Sequence, residues 1–291
     1  MSFERSVFCL SAEKIAELSE DITLHKATKS KYQSFLLAIL AGASIAFAFS
    51  FYVTAVAALG PNVGKFVGGF CFALGLILVV LLGGELFTSS TLTIVAKVTK
   101  QITWRQLFKN WMIVYFGNLV GALFIVLLIM LARSYMNFGT DWGKVVLDTA
   151  AHKIHHVYES DGDLKYARGF IEALSLGILC NVMVCVAVWL SWGGKTMSDK
   201  ILIIILPVAM FVASGYEHSI ANMFMIPLGI SIHNFAIPEM AVAFDPHYND
   251  LTIFNFIFSN LIPVTIGNVI GGGLIIGWYN WFVSYRMHQN A

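Results

Sequence analysis

The sequence predicts an all-α membrane protein with six transmembrane helices, on three observations. Hydrophobic residues make up 58% of the 291-residue chain and charged residues only 12%, about half the charged fraction of a typical soluble domain. Six stretches nearly free of charge are each long enough to cross a hydrocarbon core of about 30 Å. They show no alternation of apolar and polar residues, which argues against a β-barrel. The stretches are 34–60, 66–96, 107–132, 169–193, 201–231 and 251–285.

The composition also argues against several classes of protein. A soluble globule and a disordered chain do not fit it, and the net charge of +1 offers no basic surface for nucleic acid. The four cysteines lack zinc or haem spacing, and three of them lie in apolar stretches. We therefore expect no metal and no cofactor. The first residues contain no signal-peptide core followed by a cleavage site.

The chain before the first span is expected to form a short amphipathic helix within residues 10–29. Ser11 can cap this helix, and Glu13 and Glu17 lie near its positive end. Its apolar side chains could lie on the membrane surface or on a neighbouring subunit, or the helix could simply be solvated. The sequence thus predicts an N-terminal segment over residues 1–33.

The basic residues predict the orientation of the chain. Twelve Lys and Arg residues lie before span 1, around the connections after spans 2 and 4, and after span 6, whereas six lie on the other side. By the positive-inside rule both termini are cytoplasmic. The predicted domain of six spans covers residues 34–286, and residues 287–291 form a cytoplasmic tail.

Spans 2 and 5 are interrupted by polar, helix-breaking sequence. The interruptions are G-G-E-L-F-T-S-S-T at 83–91 and S-G-Y-E-H-S-I-A-N at 214–222. Such sequence is tolerated at membrane depth where it is buried in protein or lines a cavity. Because the two interruptions occupy corresponding positions of two halves, they indicate a transport site.

The two halves also match in spans 3 and 6, which contain G-N-L-V-G at 117–121 and G-N-V-I-G at 267–271. Spans 1–3 (34–132) and spans 4–6 (169–285) therefore form two repeats. Since each repeat has an odd number of spans, the second must be inverted in the membrane, which is typical of channels and transporters. The paired glycines could equally serve close helix packing, and the two interpretations are compatible.

Few ionisable residues lie within the spans, and such residues usually mark function or a paired structural site. Glu85 and Glu217 stand at matching places beside the interruptions, where a carboxylate can accept hydrogen bonds from freed backbone N–H groups. We expect them to stabilise the two loops, and direct ion handling is the alternative. No Lys or Arg is expected deep in the membrane.

His218 is a candidate pathway residue. Imidazole titrates near physiological pH, so a protonated His218 would attract an anion and a neutral one could exchange a proton with a weak acid. The first interruption supplies four hydroxyls, any of which can donate to a carboxylate, on Thr88, Ser89, Ser90 and Thr91. Helix N-termini at the interruptions add positive potential. The alternatives are a satisfied core histidine and a hydroxyl bonded to its own helix.

Four long segments closely resemble the formate/nitrite transporter family, and the resemblance covers nearly the whole chain. It implies an aquaporin-like protomer in a homopentamer of the bacterial inner membrane, with one pore per protomer. It also implies bidirectional, pH-dependent passage of formate, with nitrite or hydrosulfide as the alternative substrate. The segments are 83–90, 109–122, 206–227 and 260–273.

The family resemblance implies no enzymatic activity, and the residues agree with that. A haem protein would need paired histidines, but His218 is alone at depth. A serine hydrolase could pair Ser219 or Ser89 with His218, but a nucleophile turn is missing. A structural scaffold would gain nothing from polar, interrupted helices.

The resemblance implies three sets of site residues: a substrate pore, a constriction on either side of it, and a vestibule. These are, in that order, His218, Thr88 and Asn268; Phe72, Leu76 and Leu86 on one side with Phe211 and Val184 on the other; and Lys153. Residues 157–168 depart from the family pattern as an insertion before span 4, which puts the vestibule's shape and the role of Lys153 in question.

Overall fold

The computed structural model describes residues 10–155, 164–236, 240 and 245–287, and all regular structure within them is helical. Five helices of this part of the chain are long and apolar enough to cross a membrane. The prediction of an all-α membrane protein is therefore confirmed. The five are α2 (Lys31–Leu59), α3 (Pro61–Leu81), α6 (Trp104–Leu131), α8 (Lys165–Ser191) and α11 (Ile253–Tyr285).

Shorter helices connect or extend these five. Most of the predicted insertion lies outside the described residues, and its last residues lead into α8. The stretch predicted as span 5 is divided between two helices of 17 residues each, and one crossing needs about 20. The shorter helices are α1 (Ala12–Thr28), α4 (Phe87–Ser90), α5 (Ile94–Val98), α7 (Asp141–Ile154), α9 (Met197–Ala213) and α10 (Ser219–Phe235).

Helix α1 is capped as predicted and packs on its own chain. The Ser11 hydroxyl accepts a hydrogen bond from the Lys14 N–H at 3.3 Å, which satisfies one of the unpaired donors at the helix start. The apolar side chain of Ile15 is buried, and the Trp281 indole donates to Glu20 at 2.9 Å. Contacts with α5 and with the end of α11 place α1 against the helical bundle.

Helices α3 and α9 end in the same way, at the two interruptions predicted from the sequence. Gly83 and Gly215 adopt φ of +70° and +72°, a left-handed conformation that side chains disfavour. The next residue then donates its N–H back to the helix, from Gly84 to the Val79 carbonyl at 2.8 Å in the first case. This glycine motif terminates each helix and turns the backbone away from its axis.

Glycines let the long helices approach one another closely. A Cβ placed on Gly121 of α6 would overlap the Ile39 carbonyl of α2, and one on Gly271 of α11 would overlap the Ile178 carbonyl of α8. Such contact between backbones replaces the hydrophobic driving force that lipid does not supply. The matching glycines of the two halves therefore pack equivalent helix pairs.

Gly271→Ala should destabilise the protein because its methyl group would push α11 away from α8. We expect a loss of about 1–3 kcal/mol in the free energy of unfolding, measured by denaturation in detergent. Gly273→Ala is the control on the same helix, since its added Cβ would meet the Thr91 carbonyl at an ordinary 3.6 Å. Equal stability of the two variants would contradict the close packing.

Candidate functional site

The first interruption is held by Asn118 of α6. Its Oδ1 accepts a hydrogen bond from the Phe87 N–H at 2.8 Å, at the start of α4. Its Nδ2 donates to the Ala38 carbonyl of α2 and to the Glu85 carbonyl of the loop, each at 2.8 Å. One buried amide thus satisfies backbone groups that the broken helix leaves unpaired.

The second interruption repeats this arrangement around Asn268 of α11. Its Oδ1 accepts from the Ser219 N–H at 2.9 Å, at the start of α10. Its Nδ2 donates to the Gly177 carbonyl of α8 at 2.8 Å and to the Glu217 carbonyl at 3.0 Å. The structure therefore places Asn268, predicted as a pore residue, in contact with the backbone on both sides of the second loop.

Among the described residues, lysines and not backbone N–H groups bind Glu85, which corrects the prediction of how its carboxylate is held. Its carboxylate lies 2.8 Å from Lys26 Nζ and 2.6 Å from Lys29 Nζ. Both lysines come from the end of α1 and the residue that caps it. The ion pairs therefore connect the N-terminal helix to the first interruption.

Glu217 is paired in a similar way with Lys153 of α7, at 3.0 Å from Nζ to Oε1. Its other oxygen accepts from Asn222 at 2.6 Å and from Asn260 at 3.1 Å. Lys153 is only 9% exposed, so a basic side chain lies buried inside the protein beside the second interruption. Since Glu217 neutralises it, Lys153 brings no net charge to the site.

Thr88 and His218 meet where the two interruptions face each other. The distance from Thr88 Oγ1 to His218 Nε2 is 3.1 Å, and both side chains are buried. His218 also caps α10, because its Nδ1 accepts the Ala221 N–H at 3.0 Å. With Nδ1 acting as an acceptor, the proton of the neutral ring is assigned to Nε2, which donates to Thr88.

A vestibule of about 820 Å³ reaches His218 of this pair. Its mouth lies at the start of α3 and on α7, where exposed lysines and aspartates alike line it: Lys65, Lys144, Asp141 and Asp148. Lys153, Glu217 and His218 also line the vestibule. A cavity with charged groups of both signs in a largely apolar wall therefore extends from one end of α3 to the imidazole.

The predicted division of the constriction residues was wrong for Phe72 and Phe211. Their ring centroids lie 6.0 Å apart in an edge-to-face contact, and both rings line the vestibule. Phe211 also stacks on the His218 imidazole, with 6.1 Å between the rings. The two phenylalanines thus lie together on the vestibule side. Leu76, Leu86 and Val184 are buried and are not among the residues that line this cavity.

Several site residues were missed by the sequence reasoning, all of them buried polar groups. Asn222 and Asn260 bind Glu217, and Asn260 also donates to the Lys153 carbonyl at 2.7 Å. Asn181 and Cys185 of α8 contact the Thr88 carbonyl. An amide in the middle of an apolar stretch was the available signal for Asn181, because such groups are costly in lipid.

Apolar helices of membrane-crossing length around a cavity that ends on a buried histidine define the class: an integral membrane protein of the transport type. The sequence model of the formate/nitrite transporter family matches residues 13–282. The chain belongs to the formate/nitrite transporter family. It is accordingly a transport protein and not an enzyme. The hydroxyl of Ser89, which was considered above as a partner of His218 in a serine hydrolase, donates to the Leu86 carbonyl at 3.0 Å.

Named relatives and solved structures agree with this membership. The formate channel FocA of Escherichia coli K12 is 53% identical over 282 residues, which covers 95% of each chain. The protein of the same name from Haemophilus influenzae is 47% identical over 285 residues, or 96% of each chain. A solved pentameric formate channel with formate bound superposes with a TM-score of 0.76 at 45% identity, covering 88% of this chain and 98% of the other.

Lys153→Met should be strongly destabilising because it leaves the Glu217 carboxylate buried without its cation. We expect a loss of about 3–5 kcal/mol in the free energy of unfolding, and Glu217→Gln in the same chain should restore part of it. Denaturation in detergent measures both. Lys14→Met is the control, since the Lys14–Glu17 pair is exposed and its loss should change stability by less than about 1 kcal/mol.

Proposed function

We propose that this protein is a channel that passes formate across a membrane in both directions. The observation that carries the proposal is the Thr88–His218 contact at 3.1 Å, because His218 also lines a cavity whose lining carries charged groups of both signs. Two hydrogen-bonding groups suited to a carboxylate thus lie at or next to the inner end of this cavity. The relatives named as formate channels support the choice of formate.

The architecture we propose has six membrane crossings in two inverted repeats, as in aquaporin-like proteins. Helix α3 and the α4–α5 segment form one interrupted crossing, and α9 and α10 form the other. The equivalent hydrogen bonds of Asn118 and Asn268 support this pairing of halves. Residues 34–132 and 169–285 are the two repeats.

We place the protein in the bacterial inner membrane as a homopentamer, with both termini in the cytoplasm. The excess of basic residues on the side of the termini supports the orientation. Helix α2 begins beside α1 and ends beside the vestibule mouth, so α1 and the vestibule lie on opposite sides. The vestibule therefore opens to the periplasm.

Formate enters the vestibule, where the exposed lysines Lys65 and Lys144 can bind it beside acidic neighbours, and reaches the phenylalanine pair Phe72 and Phe211. There it loses most of its water, because two apolar rings offer no hydrogen bonds in its place. Beyond them Nε2–H of His218 and the Thr88 hydroxyl replace the lost water. Their hydrogen bonds to a charged acceptor are stronger than neutral ones.

A proton can reach formate only from a doubly protonated imidazole, because removing Nε2–H from a neutral ring would leave an imidazolate. Double protonation places a hydrogen on Nδ1, which must then release the Ala221 N–H. Proton delivery is therefore coupled to loss of the α10 cap. Lower pH favours the protonated ring, so the passage of neutral formic acid increases as the pH falls.

His218→Phe should abolish proton-coupled formate movement, since a phenyl ring neither carries a proton nor donates to formate.

Thr88→Val should lower formate flux by roughly tenfold, because one hydrogen bond to the charged formate is lost. The pH dependence of the flux should remain. Flux into reconstituted vesicles at several pH values measures both effects. Nitrite and hydrosulfide serve as competing anions in the same assay.

Wild-type vesicles that pass no formate would overturn the proposed function. Unchanged pH dependence in His218→Phe would remove the histidine from the mechanism while leaving the channel in place. Assembly of each variant is checked by its elution in detergent.

A further inference from the structure

The backbone carbonyl of Thr88 is surrounded by hydrogen-bond donors. Among the described residues it accepts from Thr91 Oγ1 at 2.7 Å, Asn181 Nδ2 at 3.1 Å and Cys185 Sγ at 3.3 Å. One donor normally satisfies a buried carbonyl, and two fill its lone pairs. The bond from Thr91 is an ordinary contact within a helical turn, whereas Asn181 and Cys185 reach the carbonyl from α8.

Asn181 joins the two interruptions to each other. Besides the Thr88 carbonyl, its Nδ2 contacts the Asn268 carbonyl at 2.5 Å and Thr91 Oγ1 at 3.2 Å. Two carbonyl oxygens around one atom identify that atom as the amide nitrogen and fix the orientation of the side chain. Asn268 in turn binds the start of α10, the helix that His218 caps. Hydrogen bonds through Asn181 and Asn268 therefore connect Thr88 to that helix.

Asn181 and Cys185, which bind the Thr88 carbonyl, form a clamp on it, and among the described residues the corresponding helix of the first repeat, α2, has no equivalent of Asn181. Asn118 and Asn268 donate to Ala38 and Gly177, which are therefore equivalent positions of the two repeats. Four residues further on, the first repeat has Gly42 where the second has Asn181. The hydrogen bonds of Asn118 and Asn268, which are common to both repeats, are sufficient to hold the interrupted backbone. The contacts of Asn181 are confined to one repeat, so they are better explained by a role at the Thr88–His218 site.

The packing around the clamp leaves room for these side chains and for little else. A Cβ placed on Gly272 of α11 would overlap Asn181 Nδ2 and Thr91 Oγ1, and would lie 2.7 Å from Cys185 Sγ. Asn181 and Cys185 are both fully buried. The absence of a side chain at Gly272 allows three polar groups to converge on the Thr88 carbonyl.

We propose that Asn181 and Cys185 are positioning residues that determine the preference of the pore for anions. By binding the Thr88 carbonyl they turn its negative end away from the path, so that Thr88 presents its hydroxyl beside Nε2–H of His218. A carbonyl facing the path would repel formate and favour cations, since carbonyl oxygens coordinate cations in other pores. This inference rests on the proposed formate channel.

Asn181→Asp tests the clamp, because it keeps the size of the side chain but replaces the N–H donors with a charged acceptor. Cys185→Ala removes the second donor, and Cys185→Ser provides a hydroxyl in its place. The assays are formate flux into vesicles and the permeability ratio of formate to potassium, taken from reversal potentials in planar bilayers. Cys180→Ala is the control, a buried cysteine of the same helix whose thiol is not among the donors to Thr88.

We expect Asn181→Asp to reduce formate flux at least about tenfold, as for loss of a buried hydrogen bond, and to lower the permeability ratio. Cys185→Ala should shift the ratio in the same direction by a smaller factor, and Cys185→Ser should restore it. If Asn181→Asp does not assemble, the two Cys185 variants decide the question. Loss of flux with an unchanged permeability ratio would mean that the clamp has only a structural role.

Wild-type ratios in both Asn181→Asp and Cys185→Ala would overturn the inference while leaving the formate channel intact. Absence of formate flux in the wild type would instead remove the proposed function, so the two failures are distinguishable. An equal shift of the ratio in Cys180→Ala would assign the effect to the packing of α8 and not to the donors.

Discussion

The structure depends on satisfying backbone hydrogen-bonding groups where helices α3 and α9 end inside the protein and the next helices begin. A buried N–H or carbonyl without a partner costs several kcal/mol where no water can reach it. Asn118 and Asn268 meet this requirement with one amide each, which binds the loop, the next helix and a neighbouring long helix. The packing glycines beside these asparagines bring the helices close enough for the contacts to form.

A nearly symmetric frame thus carries a site that is not symmetric. The residue that precedes the short helix is Leu86 in one half and His218 in the other, and the next helix begins directly after each. The second half therefore contributes a titratable ring at this position, and Thr88 of the first half contacts it. The hydrogen bonds of Asn118 and Asn268 are common to both halves, whereas the contact between Thr88 and His218 depends on the differences between them.

The two buried carboxylates connect the interruptions to segments outside the long helices. Glu85 binds lysines of the N-terminal helix and the residue after it, whereas Glu217 binds a lysine of α7, the helix that also lines the vestibule. Both carboxylates are buried and their lysines are mostly buried. Removing Lys153 therefore leaves Glu217 without its cation, whereas Glu85 keeps a second lysine when one is removed. The position of each outer segment is thereby coupled to the loop that lies next to the site.

The sequence by itself determined the helical membrane class, the helix-breaking sequence that follows α3 and α9, the likeness of the halves, and His218 as a candidate pathway residue. Hydropathy and glycine patterns are local and repeat along the chain, so they can be read without coordinates. Only the tertiary structure decided which groups meet: the lysines on Glu85 and Glu217, the contact between Phe72 and Phe211, and the convergence of Asn181 and Cys185 on Thr88. These partners lie dozens of residues apart, and sequence spacing carries no information about contacts made when separate helices pack together.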